Sequence, residues 1–178
     1  TVRTLIKADR LIDGTGAAPL ANGALVIEDK RVSVVTTQDL LGSSGQGEWE
    51  TIEVPGGTIL PGFVQVHSHI HCSGDADVYR QVTTESDRVL LMRAVQAVRA
   101  ALGSGVTCMR DLGSKNDIAL SVRQAIDEGI IPGPRLLVAG TPITTTGGHC
   151  HMFGTEADAL EEVVSAVRRQ VKLGADWI

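Results

Sequence analysis

The sequence predicts an α/β fold in two stretches: small antiparallel strands over residues 1–60, then strand–loop–helix units over residues 61–178. Three observations carry this. Short β-branched runs broken by Gly, Asp and Asn fill the first stretch. After Pro61 longer amphipathic segments, with an apolar period of about 3.6 residues, alternate with short apolar runs. Each of those longer segments is preceded by a hydroxyl residue and, three positions on, an acid.

From Thr4 to about Val54, runs such as Ala24-Leu-Val-Ile27 and Arg31-Val-Ser-Val-Val35 read as strands, because branched side chains suit a pleated, half-buried surface. Leu41 to Gly47 holds three Gly and two Ser, the composition of a surface loop. Beyond Pro61 the expected strands are Phe63–His67, Val106–Asp111, Arg135–Ala139 and Ala175 to Ile178. Three helices lie between them. Their expected capping boxes are Thr84/Asp87, Ser114/Asp117 and Thr155/Asp158, pairs suited to satisfy the orphan amides of a first turn. In the third, Leu160, Val163, Val164, Val167 and Val171 form one apolar stripe that should cover a sheet. Gly103, Gly129 and Gly174 stand where each helix should stop. This alternation implies parallel strands with crossover helices, either a doubly wound sheet or a (β/α)8 barrel. Periodicity does not separate the two. Four strands make half of a barrel, since barrels take roughly 250 residues.

Composition narrows the function classes. The chain has 178 residues, 43% hydrophobic and 21% charged, enough to bury a core. A net charge of −5, with no Lys or Arg cluster on one helix face, argues against nucleic acid or an anionic membrane as partner. No stretch approaches the roughly 20 apolar residues of a membrane span. The opening Thr1-Val-Arg-Thr-Leu5 does not read as a signal peptide, and a cytoplasmic location is the expectation. Cys72, Cys108 and Cys150 are odd in number and widely spaced, a poor disulfide framework that fits a reducing compartment.

The segment richest in chemistry is Pro61-Gly-Phe-Val-Gln-Val-His-Ser-His-Ile-His-Cys72. Alternate side chains on a strand share a face, so His67 and His69 project together as the strand ends. Such a pair either lines a solvated rim or shares a metal. An apolar run leads into it and loop residues follow, which is where parallel α/β folds place their sites. His149-Cys150-His151 repeats the spacing after Gly147-Gly148, whose backbone allows close approach of a ligand. His71 and His151 read as scaffold histidines, and Cys72 and Cys150 lack the array of a soft-metal site. At Arg110-Asp111 the acid either orients a ligand histidine or meets an arginine or backbone partner.

Gly57-Thr-Ile-Leu-Pro-Gly-Phe-Val-Gln-Val-His-Ser-His69 resembles the first barrel strand of the amidohydrolase superfamily. Asp13-Gly14, Asn22-Gly23 and Val26-Ile-Glu-Asp29 resemble its small β-sandwich, and Gly105-Val-Thr-Cys-Met-Arg-Asp-Leu-Gly113 its second barrel strand. Ile131-Pro-Gly-Pro-Arg-Leu-Leu-Val-Ala-Gly140 with Thr146-Gly-Gly-His149 is similar to the third strand and loop of its imidazolonepropionase-like and Xaa-Pro or Xaa-Arg dipeptidase branch. Gln65 departs from the pattern, since members commonly carry Asp there.

The resemblance implies an N-terminal part of such an enzyme: residues 1–60 of a composite sandwich, and residues 61–178 as the first four strands and three helices of a (β/α)8 TIM barrel. It implies His67 and His69 as ligands of one or two divalent ions, zinc foremost, and His149 as a substrate contact. The final Val171-Lys-Leu-Gly-Ala-Asp-Trp-Ile178 resembles the entry to the fourth strand, where the family continues with a carboxylated lysine. Further ligands and a general acid–base Asp are expected beyond residue 178. The expected activity is hydrolysis of an amide-type C–N bond in a small substrate, dipeptidase-like, by a metal-activated water, in a homo-oligomer. Cyclic-amide opening, deamination and carbamate or urea cleavage on the same scaffold are the alternatives, with a non-catalytic metal-binding protein behind them.

Overall fold

The computed structural model describes residues 3–41 and 49–178. Two compact units divide the chain, Thr1–Pro61 and Gly62–Ile178. In the first, strands β1 (Arg3–Leu11), β2 (Leu20–Glu28) and β3 (Arg31–Thr37) are followed by a short helix α1 (Gln38–Leu41) and strand β4 (Glu50–Ile59), in the sheet order β3-β2-β1-β4. The β2–β3 hairpin turns at Asp29 and Lys30, both with positive φ, so a tight two-residue connection sets its register. Leu5, Ala24 and Val26 are buried, with Leu41 and Trp49 packed against them. The all-antiparallel expectation holds for β1–β2 and β2–β3 but not for β4, which runs parallel to β1. Parallel pairing requires a crossover, and α1 lies on the chain between β3 and β4. The loop expected over Leu41–Gly47 lies, past Leu41, outside the described residues.

The second unit is built on three parallel strands in the order β5 (Phe63–Ser68), β6 (Val106–Asp111), β7 (Arg135–Val138). Between β5 and β6 run α2 (Val78–Thr84) and α3 (Asp87–Gly103); between β6 and β7 runs α4 (Ile118–Asp127); and α5 (Leu160–Leu173) follows β7. Leu90, Ala94 and Val98 recur every four residues on α3 and meet Met109, Ile118, Val122, Leu136 and Val138 in one core. Fully burying a Val or Leu side chain contributes roughly 1.5–3 kcal/mol, so each such residue of this seam adds to the unit's stability. Ile70, 2% exposed, also belongs to it and anchors the chain between two histidines.

Several local expectations need correction. Thr84 ends α2, and the cap of α3 is Ser86, whose hydroxyl accepts from the Val89 amide. Ser114 Oγ accepts from Ala119 N rather than closing a box with Asp117. Thr155 lies in a strand, and Asp158 turns back to accept from Thr146; the first turn of α5 is served instead by Glu162, which accepts from Asp158 N and Ala159 N at 2.9 and 3.0 Å. Gly129 and Gly174 do hold the left-handed stops, at φ 72° and 85°, but after α3 that role falls to Gly105 instead of Gly103. On α5 the buried positions are Ala166 and Gln170, while Leu160 and Val171 stay exposed. Residues 175–178 form no strand: the Asp176 amide donates to Val138 O at 2.7 Å, but the Asp176 carboxylate takes the Val138 amide at 2.9 Å that a ladder carbonyl would otherwise accept. Among the described residues no helix is long and apolar enough to cross a membrane.

Candidate metal centre

His67 sits on β5 and His69 one residue past its end, and their rings face each other at 5.3 Å between centroids, 74° between planes. A tetrahedral zinc with bonds of about 2.0–2.1 Å to two imidazole nitrogens sets the ring centres roughly 5 Å apart, so the spacing fits a shared ion. The His69 Nδ1–H donates to Gly113 O at 2.8 Å. That bond commits one nitrogen and leaves the Nε2 lone pair for a cation, the arrangement that outer partners of ligand histidines impose. Gln65, the departure from the family pattern, accepts from the His67 amide through Oε1 at 3.3 Å.

Strand β6 holds this segment from both sides. Arg110 Nε donates to Val66 O at 2.7 Å, just before His67, and its guanidinium lies 5.3 Å over the Trp177 ring. Ser68 Oγ donates to Arg110 O at 3.0 Å. Asp111, with no exposed surface, accepts from Ile70 N at 2.7 Å and Gly113 N at 3.1 Å. Burial pushes the Asp111 carboxyl above its ordinary value against the opposing pull of those two amides. Of the alternatives open for Asp111, backbone partners are the observed ones, and through them it braces both the turn after His69 and the carbonyl that orients His69.

The remaining candidates separate into buried and exposed. His71 is fully buried, and burial first, with the charges of His69 and Lys115 adding, lowers its pKa to about 4, so it stays neutral at neutral pH. Cys72 beside it is pushed up to about 11, mainly by burial, which keeps it a thiol and a poor ligand or nucleophile. After β7 the chain forms a two-stranded parallel ribbon, β8 (Ile143–Thr144) and β9 (Thr155–Glu156), that the sequence reading did not anticipate. Between its strands lies the turn with Gly147 (φ 66°), His149, Cys150 (φ 61°) and His151. His151 Nδ1 lies 3.0 Å from Gly148 O, in keeping with a scaffold role. His149 is exposed on that turn, and among the described residues no ring pairing joins it to His67 or His69. Phe153 makes that connection instead, with its ring 6.1 Å from His69 and 4.8 Å from His71. Only its aromatic character within a Gly- and His-rich loop marked it in the sequence. Among the described residues no group of three or more His, Cys, Asp or Glu side chains converges on a metal-sized site, and His67 and His69 stand there as a pair.

Comparison with known proteins follows the same residues. The Amidohydrolase family matches residues 58–178. An ochratoxinase of Aspergillus niger is 30% identical over 204 aligned positions, covering 98% of this chain and 41% of that protein. An imidazolonepropionase of Halobacterium salinarum is 31% identical over 113 residues, covering 57% of this chain and 26% of its own length. Among solved structures, a Xaa-Pro dipeptidase with methionine bound in its active site superposes with a TM-score of 0.82 at 30% identity, over 98% of this chain and 45% of that one. These neighbours are amidohydrolase TIM-barrel proteins, so β5–β6–β7 and their helices are part of a barrel and not of an open doubly wound sheet. The chain spans about two fifths of the length of the ochratoxinase it matches, the 41% above. With its family match covering the whole second unit and the histidine pair inside that match, the chain belongs to the amidohydrolase family.

Proposed function

We propose that the protein hydrolyses an amide-type C–N bond of a small substrate, dipeptides foremost, using divalent metal, zinc in one or two ions, with His67 and His69 as its first ligands. One observation carries the reading: at the carboxyl-terminal end of a parallel strand the two rings stand 5.3 Å apart, and the His69 Nδ1 is already engaged by Gly113 O. When bound, the metal supplies a Lewis acid that polarises a carbonyl and brings the pKa of water towards about 7.

The chain's own residues do the positioning. Gly113 O holds His69 in the tautomer with Nε2 free, while Arg110 and Asp111 hold the backbone on either side of the pair. His149, on the turn between β8 and β9, is assigned to the substrate. By the family resemblance the remaining ligands, a carboxylated lysine among them, and an aspartate acting as general acid and base lie further along the sequence than residue 178. The 30% identity to a Xaa-Pro dipeptidase structure supports the dipeptide class.

The test is metal removal from the full-length protein. A chelator abolishes turnover of dipeptides and added zinc restores it; full activity in metal-free protein sinks the reading. Cyclic amides, carbamates and ureas screened in parallel separate it from other reactions on the same scaffold.

A further inference from the structure

Phe153 stands in no sequence motif, yet it touches both histidines that follow β5. Its side chain is 8% exposed and meets His71 edge-on at 4.8 Å and 76°, and His69 at 6.1 Å and 68°. Both separations fall in the range where aromatic pairs attract beyond their area of burial. His69 therefore has the Gly113 carbonyl on its Nδ1 and the Phe153 ring against it as well.

Phe153 is equally fixed at its own end. Its amide and that of Gly154 donate to Cys150 O at 3.1 and 2.8 Å, closing the turn that carries His151 and follows directly on His149. The turn is in turn tied down by Thr155 N to Pro142 O at 2.7 Å and Ala157 N to Thr144 O at 2.8 Å. Pro142 packs so closely on Gly113 that a Cβ there would lie 2.3 Å from its Cγ. Histidine pair, orienting carbonyl and His149 turn thus form one packed unit with Phe153 between them.

We propose that Phe153 is a positioning residue that couples the turn bearing His149 to the metal pair, so that metal binding at His67 and His69 orders residues 147–156. This rests on the metal reading above. Coupling of this kind runs through packed side chains and is reciprocal, so loosening the turn weakens the metal.

The experiment uses full-length protein, zinc alone as the probe, and Phe153→Leu, which keeps an apolar side chain while removing the ring. Zinc affinity is read by competition with a chromophoric chelator, and the turn by amide hydrogen exchange with and without zinc. In the wild type zinc slows exchange over residues 147–156. In F153L that protection is lost and the zinc dissociation constant rises about tenfold, the scale of an outer-partner substitution at a metal site. Wild-type affinity or wild-type protection in folded F153L overturns the inference and leaves the metal reading standing, as does zinc binding to the wild type with no slowing over 147–156. Zinc failing to bind the wild type brings down both. Circular dichroism establishes folding; if F153L does not fold, Phe153→Met carries the same comparison.

Discussion

The Asp111 carboxylate accepts from the Ile70 amide at 2.7 Å across the β5–β6 pair, so the turn behind His69 is pinned by a side chain of the neighbouring strand. The second oxygen takes Gly113 N at 3.1 Å, two residues along its own chain. One buried acid thereby braces both the backbone after His69 and the residue whose carbonyl orients that ring. Burying a carboxylate costs several kcal/mol. Two hydrogen bonds to a charged acceptor return about 1.5–3 kcal/mol each, which offsets part of that cost and leaves the carboxyl above its ordinary value.

Asp111→Ala is expected to destabilise the protein by about 2–6 kcal/mol, since it orphans two buried amides at roughly 1–3 kcal/mol apiece. Asp111→Asn, which keeps one carbonyl acceptor, recovers part of that loss. Urea unfolding measures both; an Ala variant within about 0.5 kcal/mol of wild type, the usual range for surface changes, refutes the bracing role.

Gly113→Ala strains a backbone at φ 145° and drives a methyl against Pro142. Overpacking of this kind costs about 1–3 kcal/mol. Because the Gly113 carbonyl receives the His69 Nδ1–H, zinc affinity of the full-length protein should fall as well as the unfolding midpoint. Unchanged affinity with lowered stability would show that the carbonyl tolerates the shift.

The junction of α2 and α3 predicts a pH dependence. Arg93 meets Glu85 through two bonds of 2.7 and 2.6 Å, and this pairing holds the Glu85 carboxyl below its ordinary 4.5. A depressed carboxyl contributes stability that is present above the unfolded value and lost as pH falls through the folded one. Glu85→Gln should therefore melt below wild type at pH 7, with the gap closing as pH drops below 4.5. Melting curves at pH 7 and pH 3.5 with a constant gap would exclude the pair as its source.

His149→Ala tests the substrate assignment. If the imidazole meets the scissile group, kcat/KM in the full-length enzyme falls roughly a hundredfold, as when an oxyanion donor is removed. Zinc content is expected to stay the same, because the proposed reading places His149 at the substrate and not among the ligands. Unaltered steady-state kinetics would remove it from the site.

Sequence and structure agree most closely where side-chain period and chemistry act over a few residues. Phe63 to Ser68 and Val106–Asp111 are strands because short runs of branched and apolar side chains fill them, and His67 and His69 meet because a strand repeats every second residue. The cap pairs differ: spacing to an acid singles out Thr84, Ser114 and Thr155, whereas hydroxyls and carboxylates choose among all nearby amides, and Asp158 accepts from Thr146 twelve positions back. Residues 175–178 look like a strand by composition, but Asp176 had a better use at the Val138 amide and at Arg123, 2.7 Å away.

By itself, then, the order of residues determined the alternation of strands and helices, the family, and which two imidazoles end up side by side, because each is written in contacts between near neighbours. Only tertiary structure decided that β4 runs parallel to β1, that Asp111 works through amides, and that Phe153 reaches His69 from eighty-four positions away in the chain. Those are long-range choices, made by competition for buried surface and hydrogen-bond partners that no local window contains.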